Sequence, residues 1–460
     1  MTTDRAVRRG LPGELRLFRQ RVAEVALRDT NIVVASVVFN NLLRAVSSVI
    51  LTRLLVPEVF GIAGLIGAIS FSLGLMSDLG FQAFVVRHPD GDKSRFLDTV
   101  WTIALIRSVV LTLLLIALAQ PIAVMMGTPE LAPIIAASSC TFLIEGVASL
   151  TLLTALRRGM ILRLSLLEVG VAVFQLAVAV VLAYFWRNYW ALLASMLIGS
   201  ALKSLLSYLC FPDALRRLAF DRQYIKELWG FARFVTGSSI ITVVLVQCDK
   251  FVLAAVMPLE EFGLYILAGN LASAPLAFAS AYASRVLYPC YSRAWREGAG
   301  ELRNLFYAKR WLPTLLYTFA AGGLVGSAPL IIAILYDPRY SGAALYLQLL
   351  AISPLFALAS NSANEALTAT GRIQVTFHAS IVKLLWLAIA GPVAFVVWRE
   401  IGLVAAVGLM EPAAVLFKWI QLRRAQLLDI RKEAVFLLAG ATGVMTGVMG
   451  ARLLGWAYGG

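Results

Sequence analysis

The sequence predicts an all-α polytopic membrane protein: twelve transmembrane helices plus a weak thirteenth, in two pseudo-symmetric six-helix halves around a central cavity. Three observations predict it: an apolar composition, basic loops that alternate, and a hairpin that occurs twice. Sixty per cent of the 460 residues are apolar and 14% are charged, against about 25% charged in a soluble domain. The repeated hairpin reads ILTRLLVPEVFGIAGLIGAIS at 50–70 and FVLAAVMPLEEFGLYILAGNL at 251–271, each with an apolar run on both sides of a Pro-Glu-Phe-Gly corner. Two such units at equivalent points indicate internal duplication.

Apolar runs of the length that crosses a hydrocarbon core fall at 31–53, 61–84, 99–120, 131–155, 165–186, 189–211, 233–256, 263–288, 311–335, 343–368, 376–398 and 401–422. A thirteenth, 434–457, is diluted by Gly440, Gly443, Gly447 and Gly450. Those glycines suit close helix packing. The chain then divides into a basic N-terminal segment (1–30), an N-terminal six-helix lobe (31–211), a linker (212–232), a C-terminal six-helix lobe (233–422) and a C-terminal segment (423–460). Residues 1–30 contain no continuous apolar core, so no cleaved signal peptide is expected. Leu11, Leu15, Phe18, Val22 and Val25 fall at helical spacing there, opposite Arg16, Arg19 and Arg21. This pattern fits an amphipathic helix on the membrane surface or a basic flank that sets topology. In the linker, Asp221 is placed to cap a helix carrying Tyr224, Ile225, Leu228 and Trp229.

The net charge of +14 does not imply nucleic acid, because the cations crowd into alternate loops. One set includes Arg87/Lys93/Arg95, Arg157/Arg158/Arg163, Arg216/Arg217/Arg222/Lys226 and Arg293 through Arg310; the other holds only Arg53, Arg187, Arg339 and Arg399. By the positive-inside rule, the first set and the N-terminus are cytoplasmic and both hairpin corners lie on the opposite side. Six crossings per half make the two repeats parallel, related by an axis along the membrane normal. Cys140, Cys210, Cys248 and Cys290 lie in or beside apolar spans and form no CxxC pair, so they read as buried free thiols. The sequence has no GxxxxGK[ST] or HExxH motif, and no cofactor, metal or catalytic residue is expected.

TRLLVPEVFGIAGL (52–65) with MSDLGFQAFVVR (76–87), and above all residues 246–293 with Asp249-Lys250, Gly263, Tyr265, Pro275 and Tyr288-Pro289, resemble the bacterial polysaccharide transporter family. That family comprises lipid-linked oligosaccharide flippases of the superfamily that contains the MATE exporters. The resemblance covers about residues 30–425. It implies a MATE-like inner-membrane flippase, not an enzyme, for polyprenyl-pyrophosphate-linked oligosaccharide used in exopolysaccharide, capsule or O-antigen synthesis. It also implies membrane lipids and polysaccharide polymerase or chain-length machinery as partners. An ion-coupled exporter of small molecules is the alternative within transport. A membrane polymerase, ligase or glycosyltransferase on the same carrier is the alternative outside it, and the short first outer loop (56–60) disfavours that one.

A charge in hydrocarbon needs a partner, a wet cavity or an escape to the interface. Arg44, after Asn40 and Asn41 in the first span, is the leading substrate contact, since a guanidinium fork suits a pyrophosphate; its structural alternative is a pair with Glu145. Lys250 is a second substrate candidate, and Asp249 and Glu145 are candidates for ion coupling. Asp78 reads as a helix-end hydrogen-bonding group, the cluster Asn361, Asn364 and Glu365 as satisfying a neighbouring helix or contacting sugar hydroxyls, and His88 as a solvated loop residue.

Overall fold

The computed structural model describes residue 36, residues 39–211 and residues 215–458; the N-terminal segment 1–30 lies outside them. Its elements are α1 (39–54), α2 (Pro57–Met76), α3 (Phe81–Arg87), α4 (Ser94–Met125), α5 (Ala132–Ser138), α6 (Cys140–Val147), α7 (Thr151–Arg157), α8 (Ile161–Trp186) and α9 (Tyr189–Leu209). There follow α10 (Arg222–Val256), α11 (Leu259–Tyr282), α12 (Tyr288–Glu297), α13 (Ala299–Leu335), α14 (Ala343–Leu350), α15 (Ile352–Ala369), α16 (Gln374–Gly408), α17 (Met410–Arg424) and α18 (Ile430–Tyr458). Among the described residues, eleven helical stretches are long and apolar enough to cross a membrane. One of these, Gln374–Arg424, has 51 residues, about 76 Å at 1.5 Å per residue, which is too long for one crossing. It turns back at Arg399, whose φ is 55°. Gly402 then abuts the Ala394 carbonyl, and the Trp386 indole donates to Ala406 O at 2.9 Å. With that stretch counted as two and α1 added, the described chain makes thirteen crossings.

The expected weak thirteenth span is a continuous helix. A Cβ on Gly322 or Gly326 would lie 2.2 Å from Gly440 O or Val444 O, and one on Gly443 would lie 2.1 Å from Phe319 O. Contacts that advance together in fours run parallel, so α18 crosses in the same direction as α13. The glycines that lower its hydropathy are what let the two backbones touch. Arg310, read from sequence as a basic-loop cation, is instead fully buried in α13. It is paired with Glu433 of α18, donates to Ser362 Oγ at 2.7 Å, and lies over the Phe306 and Tyr307 rings.

The repeated corners meet each other. A Cβ on Gly61 would lie 2.3 Å from Leu259 O, and one on Gly263 would lie 1.9 Å from Pro57 O. The reciprocity is that of two related units about a two-fold axis. At this far end, away from the basic loops, Tyr340 donates to Leu55 O at 2.8 Å and Tyr336 hydrogen-bonds Ser48 at 3.0 Å. Ile62, Leu65, Phe262, Leu264 and Leu347 pack into the same apolar cluster, so the far end is sealed by dry helix–helix contact.

The basic end is joined by polar contacts from the start of α10. Asp221 caps that helix, accepting from Gln223 N at 3.0 Å, as expected. Tyr224 donates to Asp90 at 2.8 Å, and Arg95 pairs with Asp221 at 2.9 Å. His88 is not solvated: it hydrogen-bonds Glu227 at 2.8 Å and stacks on Phe96 with centroids 4.4 Å apart. The four cysteines are free, but Cys140 and Cys210 lie on the bundle surface and not in its interior.

Candidate functional site

Five helical elements of the first part of the chain enclose a chamber of about 710 Å³, within the size range of ligand sites. The sequence builds it by interrupting apolar helices with polar residues on one face. On α1, Asn40, Arg44, Ser47 and Leu51 recur at spacings of three and four and line one wall. On α8, Glu168 and Gln175 stand two turns apart on one face. The Gln175 side chain lies against α9, where Gly199 leaves it room: a Cβ on that glycine would be 3.0 Å from the amide. Toward the far end the walls become apolar, through Leu51, Leu176, Ala179 and Leu192.

Glu145 reaches the chamber because its helix is broken there. After Val147 the backbone leaves the helical region at Ala148, which frees polar groups at membrane depth. Neighbouring side chains satisfy them. Tyr208 donates to Val147 O at 2.5 Å, Trp101 to Ala148 O at 3.1 Å, and Ser149 N donates to Ser207 Oγ at 2.9 Å. Gly146 lets α6 and α4 close together, since a Cβ there would lie 1.9 Å from Ser108 Oγ.

Four helices thus each contribute one charge: Arg44 from α1, Glu145 from α6, Glu168 from α8 and Lys203 from α9. Among the described residues none of the four forms an ion pair or a hydrogen bond, although opposite charges share the chamber. The structural alternative for Arg44, a pair with Glu145, is therefore not what the structure shows. Asn40 Oδ1 is buried in the same wall without a hydrogen-bond partner. All four side chains are exposed to the open space of the chamber, and a charge at membrane depth needs such a wet cavity.

The structure brings together Asn40, Asn41, Arg44 and Glu145, and sets Asp249 and Lys250 elsewhere. The Lys250 ammonium donates to Gln247 Oε1 at 2.7 Å on its own helix. Asp249 accepts from Tyr265 and lines a separate apolar cavity of about 450 Å³ with Val252, Leu387, Pro392 and Phe395. Arg107 and Asp78 are spent on structure. Arg107 donates to Gly74 O at 2.6 Å and Ser77 O at 2.8 Å, completing the end of α2. Asp78 accepts from Gly80 N at 2.9 Å, the helix-end role expected of it. Of the cluster at the inner end of α15, Asn364 accepts from Thr376 of α16 at 2.7 Å, as expected, whereas Asn361 and Glu365 make no side-chain hydrogen bond or ion pair among the described residues.

Residues 50–345 match the family described as "Polysaccharide biosynthesis protein". The chain belongs to this family. Its relatives include the lipopolysaccharide biosynthesis protein WzxC of Escherichia coli, 22% identical over 74% of this chain and 68% of that protein. They also include the succinoglycan biosynthesis transport protein ExoT of Rhizobium meliloti, 23% identical over 77% of this chain and 70% of that protein. The fold is that of the lipid II flippase MurJ in an inward closed conformation, with a TM-score of 0.71 over 90% of this chain and 91% of MurJ at 14% identity. It is also that of an inward-facing multidrug resistance MATE family transporter, with a TM-score of 0.61 over 84% of this chain and 95% of that one at 14% identity. In this family member Glu145, Glu168 and Lys203 lie inside the matched stretch, and Asn40, Asn41 and Arg44 just precede it.

Sequence reading passed over Glu168 and Gln175, which lie in a run that is apolar overall. The signal was present: two polar residues seven apart share a face of an otherwise lipid-compatible helix.

Proposed function

We propose that this chain is a flippase that carries a polyprenyl-pyrophosphate-linked oligosaccharide across the bacterial inner membrane for exopolysaccharide, capsule or O-antigen synthesis. The carrying observation is the chamber whose Arg44, Lys203 and Asn40 lack partners among the described residues. Arg44 offers a bidentate fork to a phosphate oxygen pair, Lys203 adds a point charge, and Asn40 and Asn41 offer amides to hydroxyls. The relatives named for lipopolysaccharide and succinoglycan biosynthesis support this reading, as does the MurJ-like fold. Lys250, occupied by Gln247 and away from the chamber, takes no part in this substrate contact. In this proposal the basic loops and the N-terminus face the cytoplasm. The lobes 31–211 and 233–422, joined through 212–232, rock about the far-end seal at Gly61 and Gly263. Coupling to an ion gradient would use Asp249 or Glu145, carboxylates that line cavities within the spans. Polymerase and chain-length proteins are partners on the periplasmic side.

The test is Arg44→Ala in a cell that depends on this chain for polysaccharide export. The expected outcome is accumulation of the lipid-linked intermediate on the cytoplasmic face with normal protein level. Export at the parental rate overturns the role of Arg44.

A further inference from the structure

Resting on the flippase reading, we infer that Glu168 and Gln175 of α8 form a saccharide-reading strip that favours a first sugar rich in hydroxyl or amide donors and free of negative charge. Phosphate-binding groups account for only part of the chamber. A site built for pyrophosphate alone has no use for an unpaired carboxylate, since like charge repels the ligand. Yet Glu168 lines the same chamber as Arg44 and Lys203, and it has no ion-pair or hydrogen-bond partner among the described residues. An ionised carboxylate only accepts hydrogen bonds, and its natural complement is a set of hydroxyl or N–H donors. Gln175, two turns further along the same face, is held against Gly199 and offers both an acceptor and donors.

The chamber therefore mixes two kinds of group. Arg44 of α1 and Lys203 of α9 offer cations for the pyrophosphate, Glu145 of α6 lies in the same chamber, and the α8 strip accepts from the sugar attached to it. A uronic acid as first sugar would place its carboxylate against Glu168. A neutral or N-acetylated sugar would gain charge-assisted bonds, each about 1.5–3 kcal/mol, or roughly tenfold or more in affinity.

Purified protein in nanodiscs is titrated with polyprenyl pyrophosphate and with polyprenyl-pyrophosphate-linked N-acetylglucosamine. Wild type should bind the sugar-bearing lipid about tenfold more tightly. Glu168→Leu should abolish that difference while raising affinity for polyprenyl pyrophosphate, whose like charge it no longer repels, and the isosteric Glu168→Gln should retain part of the difference. A sugar increment that survives Glu168→Leu overturns the strip alone. Binding of neither lipid by folded wild type overturns the flippase reading, and the strip with it. Should Glu168→Leu fail to fold, Glu168→Gln decides: an undiminished increment counts against the strip, and a partial loss supports it.

Discussion

The two parts of the molecule treat intramembrane charge in opposite ways. In the chamber near the start of the chain, Arg44, Glu145, Glu168 and Lys203 stand on four helices and pair with nothing described. In the later part most comparable charges are engaged, Glu365 and Arg285 being the exceptions among the described residues. Glu411 accepts from Lys383 and Ser360, and Lys418 donates to the same Ser360 hydroxyl at 2.7 Å. This forms a chain across α15, α16 and α17. Arg310 and Glu433 close a second network, with Tyr307 donating to Glu433 at 2.8 Å. A satisfied charge fixes the packing of helices, whereas an unsatisfied one is a standing demand for a ligand. The difference separates the charges that build this protein from those that serve its substrate.

The comparison breaks most visibly at Arg310. Arg310→Ala strands Glu433 in the bundle, and losing one member of a buried pair costs about 3–5 kcal/mol. Thermal unfolding in detergent should show a large drop in midpoint, and the double change Arg310→Met with Glu433→Leu should recover most of it. A midpoint unmoved by Arg310→Ala would mean that the pairing contributes nothing to the fold. The Glu411 chain should behave alike, Glu411→Ala destabilising because it leaves Lys383 and Lys418 facing each other.

A second way to sharpen the comparison is to disturb the seam between the repeats. Gly263→Val places a branched side chain where even a Cβ would lie 1.9 Å from Pro57 O, so α2 and α11 must part and the far end must open. A Ser48→Cys reporter behind that seal, with the four native cysteines replaced, should then label with a membrane-impermeant maleimide added on the side opposite the basic loops several-fold faster than with Gly263 intact. Unchanged labelling would show that the glycine contact is not the seal.

The smallest effect belongs to the exposed loop at the basic end. Asp92 is held below its ordinary value of 3.8, chiefly by the Arg157 hydrogen bond and then by Arg158. A depressed acid stabilises the fold above its unfolded value and loses that contribution as pH falls through the folded one. The loop should therefore loosen only below about pH 3.8. Solvent exposure limits the pair to about 1 kcal/mol or less. Hydrogen exchange of residues 88–93 at pH 3 and pH 7, in wild type and Arg157→Ala, reads it. Equal exchange in both proteins at pH 7 would remove Arg157 from this account.

Much of this architecture is legible in the sequence because hydrocarbon enforces strict rules. Apolar runs, alternating basic loops and the duplicated corner lead to the spans and to both corners lying at one end, while the contact between Gly61 and Gly263 is seen only in the structure. Asn40, Asn41 and Arg44 stand out for the same reason, as polar residues in an apolar run. What the sequence leaves open is which helices are neighbours. Arg310 reads as a loop cation because its partner is 123 residues away, and pairing that distant depends on packing order. The last span looks weak because its glycines are scored as poor lipid solutes, when their function is to meet the α13 backbone. Glu168 and Gln175 hide in a run that reads as apolar until its face is resolved.

The central claim, that the open charges of the chamber serve the substrate and not the fold, is tested most directly by one reconstitution. Wild-type and Arg44→Ala proteins are placed in liposomes, and translocation of a polyprenyl-pyrophosphate-linked oligosaccharide is measured per folded molecule, at a temperature well below either unfolding midpoint. The rate should fall at least tenfold with an unchanged midpoint. An unchanged rate, or a fall that only tracks a lowered midpoint, would contradict it.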